Sequence, residues 1–305
     1  MKKIESTNEE KAFANIIYGK VEERAELTVG DNGVVLPESI VNKIIQKVYD
    51  ICPIYQMSTR YNITGKVKVP YYDETTQSLN VAYATEFVVL ESSTGKLLAI
   101  ELNRFLAGVL TKVSKSLFNN SQFDVVDLVV NAMAKSISKW LENEVMNGTA
   151  EKISGLTTVT QKVTTISAIA VTADELIDLQ DMILDEHQST SIWIMNRATR
   201  KAIAKLKDAQ GRYLLNPEYK SKWGHTLLGR DVYTTASIST MAAGKTAIYY
   251  GDMSGLAIKM PKKIEIKVLK EKYADEHAIG VISWVEVDSK VEDALKIAKL
   301  EMAAV

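Results

Sequence analysis

The sequence predicts an α+β protein, and three stretches make that prediction. Residues 121–146 repeat apolar side chains at spacings of three and four, through Val126, Val129, Val130, Met133, Ile137, Trp140, Leu141 and Val145, which is one long amphipathic helix. Residues 66–71 alternate Lys66, Lys68 and Pro70 with Val67, Val69 and Tyr71, the period of a half-exposed strand. Residues 191–211 join a short apolar strand, a capping asparagine, a helical pattern and a glycine turn.

Composition narrows the class. A chain of 305 residues makes one large domain or two intimately joined ones, and 46% hydrophobic content supplies a core. The net charge of −1 gives no global field to drive binding to nucleic acid or membrane. Cys52 is the single cysteine, so an internal disulfide has no second partner and a reducing compartment is expected. No apolar run approaches the roughly 18 residues of a spanning helix. Met1-Lys2-Lys3 leads into polar residues, unlike a secretory signal. The expectation is a soluble protein made inside the cell, with no membrane partner.

The elements follow in order. Residues 1–30 place Phe13, Ile16, Ile17 and Val21 at the spacing of a short amphipathic helix, which Gly19 weakens. Gly30–Gly33 turns, and Val34–Glu38 leads into a helix with Ile40, Ile44, Ile45 and Val48 on one side. Residues 60–91 read as a long two-stranded excursion: the alternating 66–71 run, a polar turn at 73–78, and a return through Val81–Phe87. A hairpin of that length is marginal alone and needs a surface to lie on. Leu98, Ile100, Leu102 and Phe105 mark a strand within 97–113, and Ser121–Asp124 opens the long helix that Asn147-Gly148 ends. At about 1.5 Å per residue such a helix is long for a domain of this size. Trp140 and Met146 read as core at helical spacing rather than as a cofactor box.

Residues 172–187 hold six acids and no Lys or Arg, with Leu176, Leu179, Ile183 and Leu184 on the buried side. Ser191–Met195 is a strand, and Asn196 offers an oxygen to the first turn of the next helix. Ala198, Ala202, Ile203 and Leu206 form that helix's apolar side, Lys205 and Lys207 its last turn, and 208–211 its stop at Gly211. Residues 197–230 carry nine basic residues against Asp208 and Glu218. Opposite local fields on a near-neutral chain suit contact between subunits, although solvated helix faces would look alike. Residues 256–272 are strand-like, with Ile264, Ile266 and Val268 alternating with Glu265 and Lys267, and Val281–Val287 is a strand before a helical tail.

Chemistry is scarce. His187, His225 and His277 stand in no motif relation to one another or to Cys52, and no zinc, Walker or Gly-x-Ser-x-Gly motif occurs. Asp73-Glu74 and the Glu142/Glu144 pair are ordinary surface carboxylates, weak as metal ligands. Basic and aromatic residues interleave at Arg212-Tyr213 and Tyr219–Trp223, without a recognised nucleic-acid module. The reading is no catalytic residues, no metal and no cofactor.

Order of residues, rather than pattern, then points to a family. Residues 193–217 (Trp-Ile-Met-Asn-Arg-Ala-Thr-Arg-Lys-Ala-Ile-Ala-Lys-Leu-Lys-Asp-Ala-Gln-Gly-Arg-Tyr-Leu-Leu-Asn-Pro), Thr226-Leu-Leu-Gly229 and Ile248-Tyr-Tyr-Gly-Asp-Met-Ser-Gly255 resemble the central domain of tailed-bacteriophage major capsid proteins of the Hong Kong 97-type fold. Gly33-Val-Val-Leu-Pro-Glu38 resembles the end of that family's extended arm, and Glu142–Gly148 with Ile153–Leu156 the segment after its spine helix. The resemblance implies an N-terminal arm at 1–33 and a peripheral domain begun at 34–59. It implies an extended loop at 60–92, a second peripheral part with the spine helix at 93–150, and an axial domain at 151–255. Peripheral strands follow at 256–285, and 286–305 return to the axial domain.

The function so implied is self-assembly into hexamers and pentamers of an icosahedral shell around double-stranded DNA. Scaffolding protein and portal would assist, a cementing protein could strengthen the shell, and contact with packaged DNA would be weak and salt-sensitive. Assembly would take place in the bacterial host cytoplasm. The residues of interest then lie at subunit contacts. In the extended loop these are Lys66, Lys68, Tyr71, Tyr72, Tyr83, Glu86 and Phe87. On charged faces they are Asp174, Asp178, Asp181, Arg197, Arg200, Lys201 and Arg212. Trp140, Asn196, Gly211, Tyr213, Gly229, Gly251 and Asp252 belong to the family motifs as structural residues.

Two departures matter. Many relatives carry a long N-terminal scaffolding region that a protease removes, so this sequence is either a processed form or relies on a separate scaffold. Some relatives join subunits through a loop lysine and an asparagine, yet Ala84–Glu91 has no lysine and Tyr273–Gly280 no asparagine. Glu271 and Glu276 could supply a carboxylate there, but non-covalent maturation is expected. Two other functions compete: an encapsulin-type nanocompartment shell, and an α+β enzyme with a dispersed active site.

Overall fold

A computed structural model describes residues 46, 48–49, 51–72, 97–114, 125–207, 210–217, 221–261, 265–269, 272–273 and 275–304. The chain divides into two compact units. One comprises the segment ending at Thr64 with Arg104–Glu144 and Ile258–Asp288, and the other Gly65–Asn103, Val145–Ala257 and Ser289–Val305.

In the first unit, α1 (Pro53–Met57) starts with a proline, whose fixed φ and missing N–H suit a first helical turn. It buries Ile54 and Tyr55. Five strands share one sheet: β1 (Thr59–Tyr61), β4 (Phe105–Ser114), β11 (Leu256–Lys259), β12 (Glu265–Leu269) and β13 (Ala278–Val291). The order is β1-β11-β13-β12, with β4 antiparallel to β13 from Phe105↔Val287 to Ser114↔Ala278. Alternation sends Val281, Ser283, Val285 and Val287 inward. The one strand expected over 97–113 is therefore two, broken at Asn103-Arg104. Ile264, expected in the 256–272 run, lies outside the described residues.

Lys259 is fully buried in this unit. Burial pushes its ammonium below the usual lysine value, against the opposing pull of Glu286 and Asp288. Arg104 pairs with Glu286. Cys52 is buried too, and burial raises its thiol to about 11, so it stays protonated at neutral pH.

The long helix, α2 (Val125–Asn147), has 23 residues, about 35 Å at 1.5 Å per residue. Val129, Val130, Met133, Ile137, Leu141, Val145 and Met146 are buried, as their spacing predicts. Trp140 is half-buried rather than core, because it stands beside that stripe and not on it. Gly148 (φ +63°) turns the chain out of the helix, where a Cβ would lie 2.9 Å from the carbonyl oxygen of Ile153.

The second unit is built on seven strands in the order β5-β14-β10-β6-β9-β8-β7. These are β5 (Lys162–Thr164), β6 (Ile192–Met195), β7 (Leu215–Pro217), β8 (His225–Leu227), β9 (Arg230–Thr234), β10 (Thr246–Gly251) and β14 (Ile297–Glu301). Every residue of β6 is buried, as fits a strand covered on both faces. Cross-strand partners Trp193, Met195, Ile248, Tyr250, Ala298 and Leu300 share one face. That face is covered by Leu176 and Leu179 of α3 (Ala173–Asp181), by Ile183, and by Ile203 of α5 (Arg197–Ile203).

Three expectations fail here. The tail is not helical: Ile297–Glu301 is a strand between β5 and β10, and burial of Ile297, Ala298 and Leu300 overrides the helix propensity of Ala, Lys and Leu. The acidic stretch is two helices, α3 and the short α4 (Asp185–Gln188), and Leu184 between them is exposed instead of buried. The basic helix ends at Ile203, so Lys205 and Lys207 lie beyond it and Arg200 and Lys201 occupy its last turn. A separate ribbon pairs β2 (Val67–Tyr72) with β3 (Leu97–Leu102), antiparallel, from Val67↔Leu102 to Tyr72↔Leu97. Val81–Phe87, the expected return strand, lies outside the described residues, as do all of the arm at 1–33 and most of the helix expected after Val34–Glu38.

Candidate functional site

Of the motif residues, Asn196, Gly229, Gly251 and Asp252 lie in or beside the second unit's sheet, Gly211 and Tyr213 are exposed beyond α5, and Trp140 stands on α2 in the first unit. Asn196 caps α5: its Oδ1 accepts from the Ala198 N–H at 3.0 Å, while its Nδ2 donates to the Ile238 carbonyl at 2.9 Å. One side chain thus starts a helix and anchors a loop. Trp193 lies against Tyr250 with ring centroids 4.3 Å apart, and its indole N–H donates to the Leu227 carbonyl at 2.9 Å. That bond fixes the hairpin between β8 and β9, whose two-residue turn puts Leu228 (φ +48°) and Gly229 (φ +79°) in the left-handed region. The Tyr250 hydroxyl pairs with the Gln188 side-chain oxygen, and Gln188 Nε2 donates to the carbonyls of Gln180 (2.7 Å) and Ile183 (2.8 Å). The Trp193–Leu227 and Gln188 bonds cannot be read from residue order.

Gly251 ends β10, and Asp252 follows it as the cap of the next turn. A Cβ at Gly251 would stand 2.0 Å from the Lys296 carbonyl oxygen, so glycine alone lets β10 run this close to the segment before β14. Asp252 accepts from the Ser254 N–H at 2.8 Å and from Thr190 Oγ1 at 2.6 Å. Burial alone would raise its carboxyl, but these bonds, with Lys296 nearby, hold it below the usual 3.8. Gly211 takes φ +81°, and exposed Tyr213 lies under Lys207, whose Nζ is 4.8 Å from the ring centre.

The charged faces are two exposed stripes. Asp174, Ile177, Asp178 and Asp181 line the outer side of α3 at spacings of three and four. Arg197, Ala198 and Lys201 line that of α5, with Arg200 half-buried, and Arg212 is exposed further along. Glu175, counted with the acids by sequence, is instead buried. Its carboxylate accepts from the Thr172 and Ile166 N–H groups at 2.7 Å each, while Thr172 Oγ1 accepts from the Glu175 N–H at 3.3 Å. This is a capping box extended by one bond, and Thr-x-x-Glu at 172–175 is the signal that could have found it.

The ribbon has two unlike faces. Val67, Val69 and Tyr71 lie with Ile100 and Leu102 on one, half-buried or buried. Lys66 and Lys68 stand on the other, 3.8 and 3.9 Å from Glu101, too exposed for those pairs to contribute more than about 1 kcal/mol. Tyr72 is in β2 by its backbone, and Tyr83, Glu86 and Phe87 lie outside the described residues. Glu276 pairs with Lys112 at 2.9 Å on the surface, and Lys112 is held above the usual lysine value chiefly by that bond.

One cleft of about 290 Å³ opens beside Met146, Asn147, Ile238, Lys245, Thr246 and Tyr249. Asn147 Nδ2 donates to the Ser237 carbonyl at 2.7 Å. Burial drives the Tyr249 phenol up to about 12, so it stays a neutral donor. Among the described residues no group of three metal-ligating side chains gathers, and no helix is long and apolar enough to cross a membrane.

Comparison with known proteins gives a consistent picture. The phage capsid family matches residues 32–302. The capsid of an empty GTA particle superposes with a TM-score of 0.71 at 20% identity, covering 98% of this chain and 100% of that one. The native GTA capsid gives 0.70 at 20% identity over 93% and 96% of the two chains. A protein of Gordonia phage Cozz gives 0.60 at 13% identity over 83% and 86%. No curated protein sequence matches.

Proposed function

We propose, because the chain belongs to the phage capsid family, that its copies form the hexamers and pentamers of an icosahedral shell enclosing double-stranded DNA. The chain is a major capsid protein with the Hong Kong 97-type fold, a structural component of the virion capsid that assembles with itself. The single observation behind the finer reading is the family match across 32–302, which takes in both compact units and the ribbon. The unit with the seven-stranded sheet suits the axial role, and the unit with α2 and the five-stranded sheet the peripheral one. Closed shells need one surface on each subunit to meet a different surface on the next. The unlike ribbon faces and the opposite charges of α3 and α5 supply such surfaces.

In this reading Lys66, Lys68, Tyr71, Tyr72, Tyr83, Glu86 and Phe87 belong to a loop that lies on a neighbour. Asp174, Asp178 and Asp181 meet Arg197, Arg200, Lys201 and Arg212 across capsomer contacts, which speeds encounter and sets register. A tailed phage is the source, with assembly in the host cytoplasm assisted by scaffolding protein and portal. The N-terminal arm or a separate cementing protein would strengthen the shell, DNA contact is weak and non-specific, and the chain catalyses no reaction. The test is deletion of residues 70–82. The variant should fold and fail to close shells, and normal shells from it would refute the loop's role.

A further inference from the structure

Among the described residues, the two most exposed large apolar side chains stand on one short loop: Ile166 at 91% and Ile169 at 74% exposure. An isolated surface isoleucine needs no explanation. This loop differs because its ends are fastened to the core by polar groups. At one foot, buried Thr165 donates its N–H to the Glu301 carbonyl at 3.0 Å. Its Oγ1 accepts from the Ala303 N–H at 3.1 Å and donates to the Ser167 carbonyl at 2.6 Å. At the other foot Val171 is buried, and buried Glu175 takes the N–H groups of Thr172 and of Ile166 itself. A carboxylate buried to hold the backbone N–H of a solvent-facing isoleucine fixes the backbone from which that side chain projects. Ordering cost is then met before any partner arrives.

We propose that the Thr165–Thr172 loop is a preorganised apolar knob that seats on a second copy of this chain, next to the basic stripe of α5. The inference rests on the shell reading and names the anchor of its axial contact. The choice of a second copy comes from charge. The loop is held by Glu175 of α3, and the same helix exposes Ile177, 45% accessible, among Asp174, Asp178 and Asp181. The same unit carries the complement: Arg197 and Lys201 flank Ala198, a small side chain on an exposed face that leaves room for a bulky one. An isoleucine-centred acidic stripe on one helix and an alanine-centred basic stripe on another are unlike surfaces of one chain, which suits a head-to-tail contact of the kind that builds rings. The isoleucines would supply the dry centre and the charges the rim.

Two measurements test this. Ile166→Ser with Ile169→Ser should leave far-UV circular dichroism and the melting transition unchanged, since neither side chain is packed. The protein concentration needed for particles by light scattering should rise at least about tenfold. Separately, a photo-crosslinking p-benzoylphenylalanine in place of Ile169 should join two chains, with the linked peptide falling within 197–205. An unchanged threshold, or crosslinks confined to one chain or made to a different protein, would overturn the knob while leaving the shell reading intact. Wild-type chains that form no particles would instead overturn the shell reading. Absence of an intermolecular crosslink at that same concentration would then overturn the knob as well.

Discussion

Two glycines with positive φ should respond very differently to alanine, and the difference follows from what stands around them. At Gly251 (φ +142°) a new Cβ would lie 2.0 Å from the Lys296 carbonyl oxygen and 2.8 Å from Ile297 Cα. Ordinary contact begins near about 3.4 Å, so two backbone segments must part by more than an ångström. Parting them breaks the Gly251↔Ile297 pairing and weakens the 2.9 Å bond from the Asp252 N–H to the Lys296 carbonyl. Backbone strain of about 1–3 kcal/mol and one or two lost buried hydrogen bonds bring the expected loss to about 3–5 kcal/mol. At Gly229 (φ +79°) nothing lies within 4 Å, so Gly229→Ala should cost only the left-handed conformation, about 1–2 kcal/mol. Urea unfolding checks the pair: at about 2–3 kcal/mol per molar, Gly251→Ala should lower the midpoint by roughly 1–2 M and Gly229→Ala by about 0.5 M. Equal shifts would refute the close approach of β10 and the 296–297 backbone.

Three further outcomes are expected. Asp252→Asn should lose about 1 kcal/mol at pH 7. Because the Asp252 carboxyl lies below 3.8 in the folded chain, its contribution is complete above that value and disappears as pH falls through the folded value. Melts at pH 7 and pH 3 should therefore show the wild-type advantage shrinking, and an advantage independent of pH would exclude an ionised Asp252. Asp178→Lys and Lys201→Asp should each slow assembly by light scattering, the double variant should recover most of the rate, and raised salt should slow the wild type, since screening acts beyond about 8 Å. Shells boiled and run on a denaturing gel should give one band near 33.8 kDa, and a ladder of covalent oligomers would contradict non-covalent maturation.

Much of the frame was legible because it rests on local signals. The apolar spacing of 129–145 located α2, and Asn196 before a helical pattern located a cap whose geometry is as expected. Order-dependent similarity at 193–229 and 248–255 reached the family without any site chemistry. What escaped reading depends on partners distant in sequence. Ile297–Glu301 reads as helix until β5 and β10 close on either side of it. Two charges beyond Ile203 resemble a last helical turn, although the chain has already turned toward the bridge between Lys207 and Tyr213. Glu175 looks like one more surface acid, and only the fold brings the Ile166 N–H to it. For the same reason the isoleucine loop had no sequence signal beyond Thr172-x-x-Glu175.

A capsid protein of this family should build its shell from contacts between copies of itself. Negative-stain electron microscopy of the purified protein tests it most directly. Closed, uniform particles with six- and five-fold capsomers are expected, and a protein that stays monomeric at every concentration tried would refute the shell.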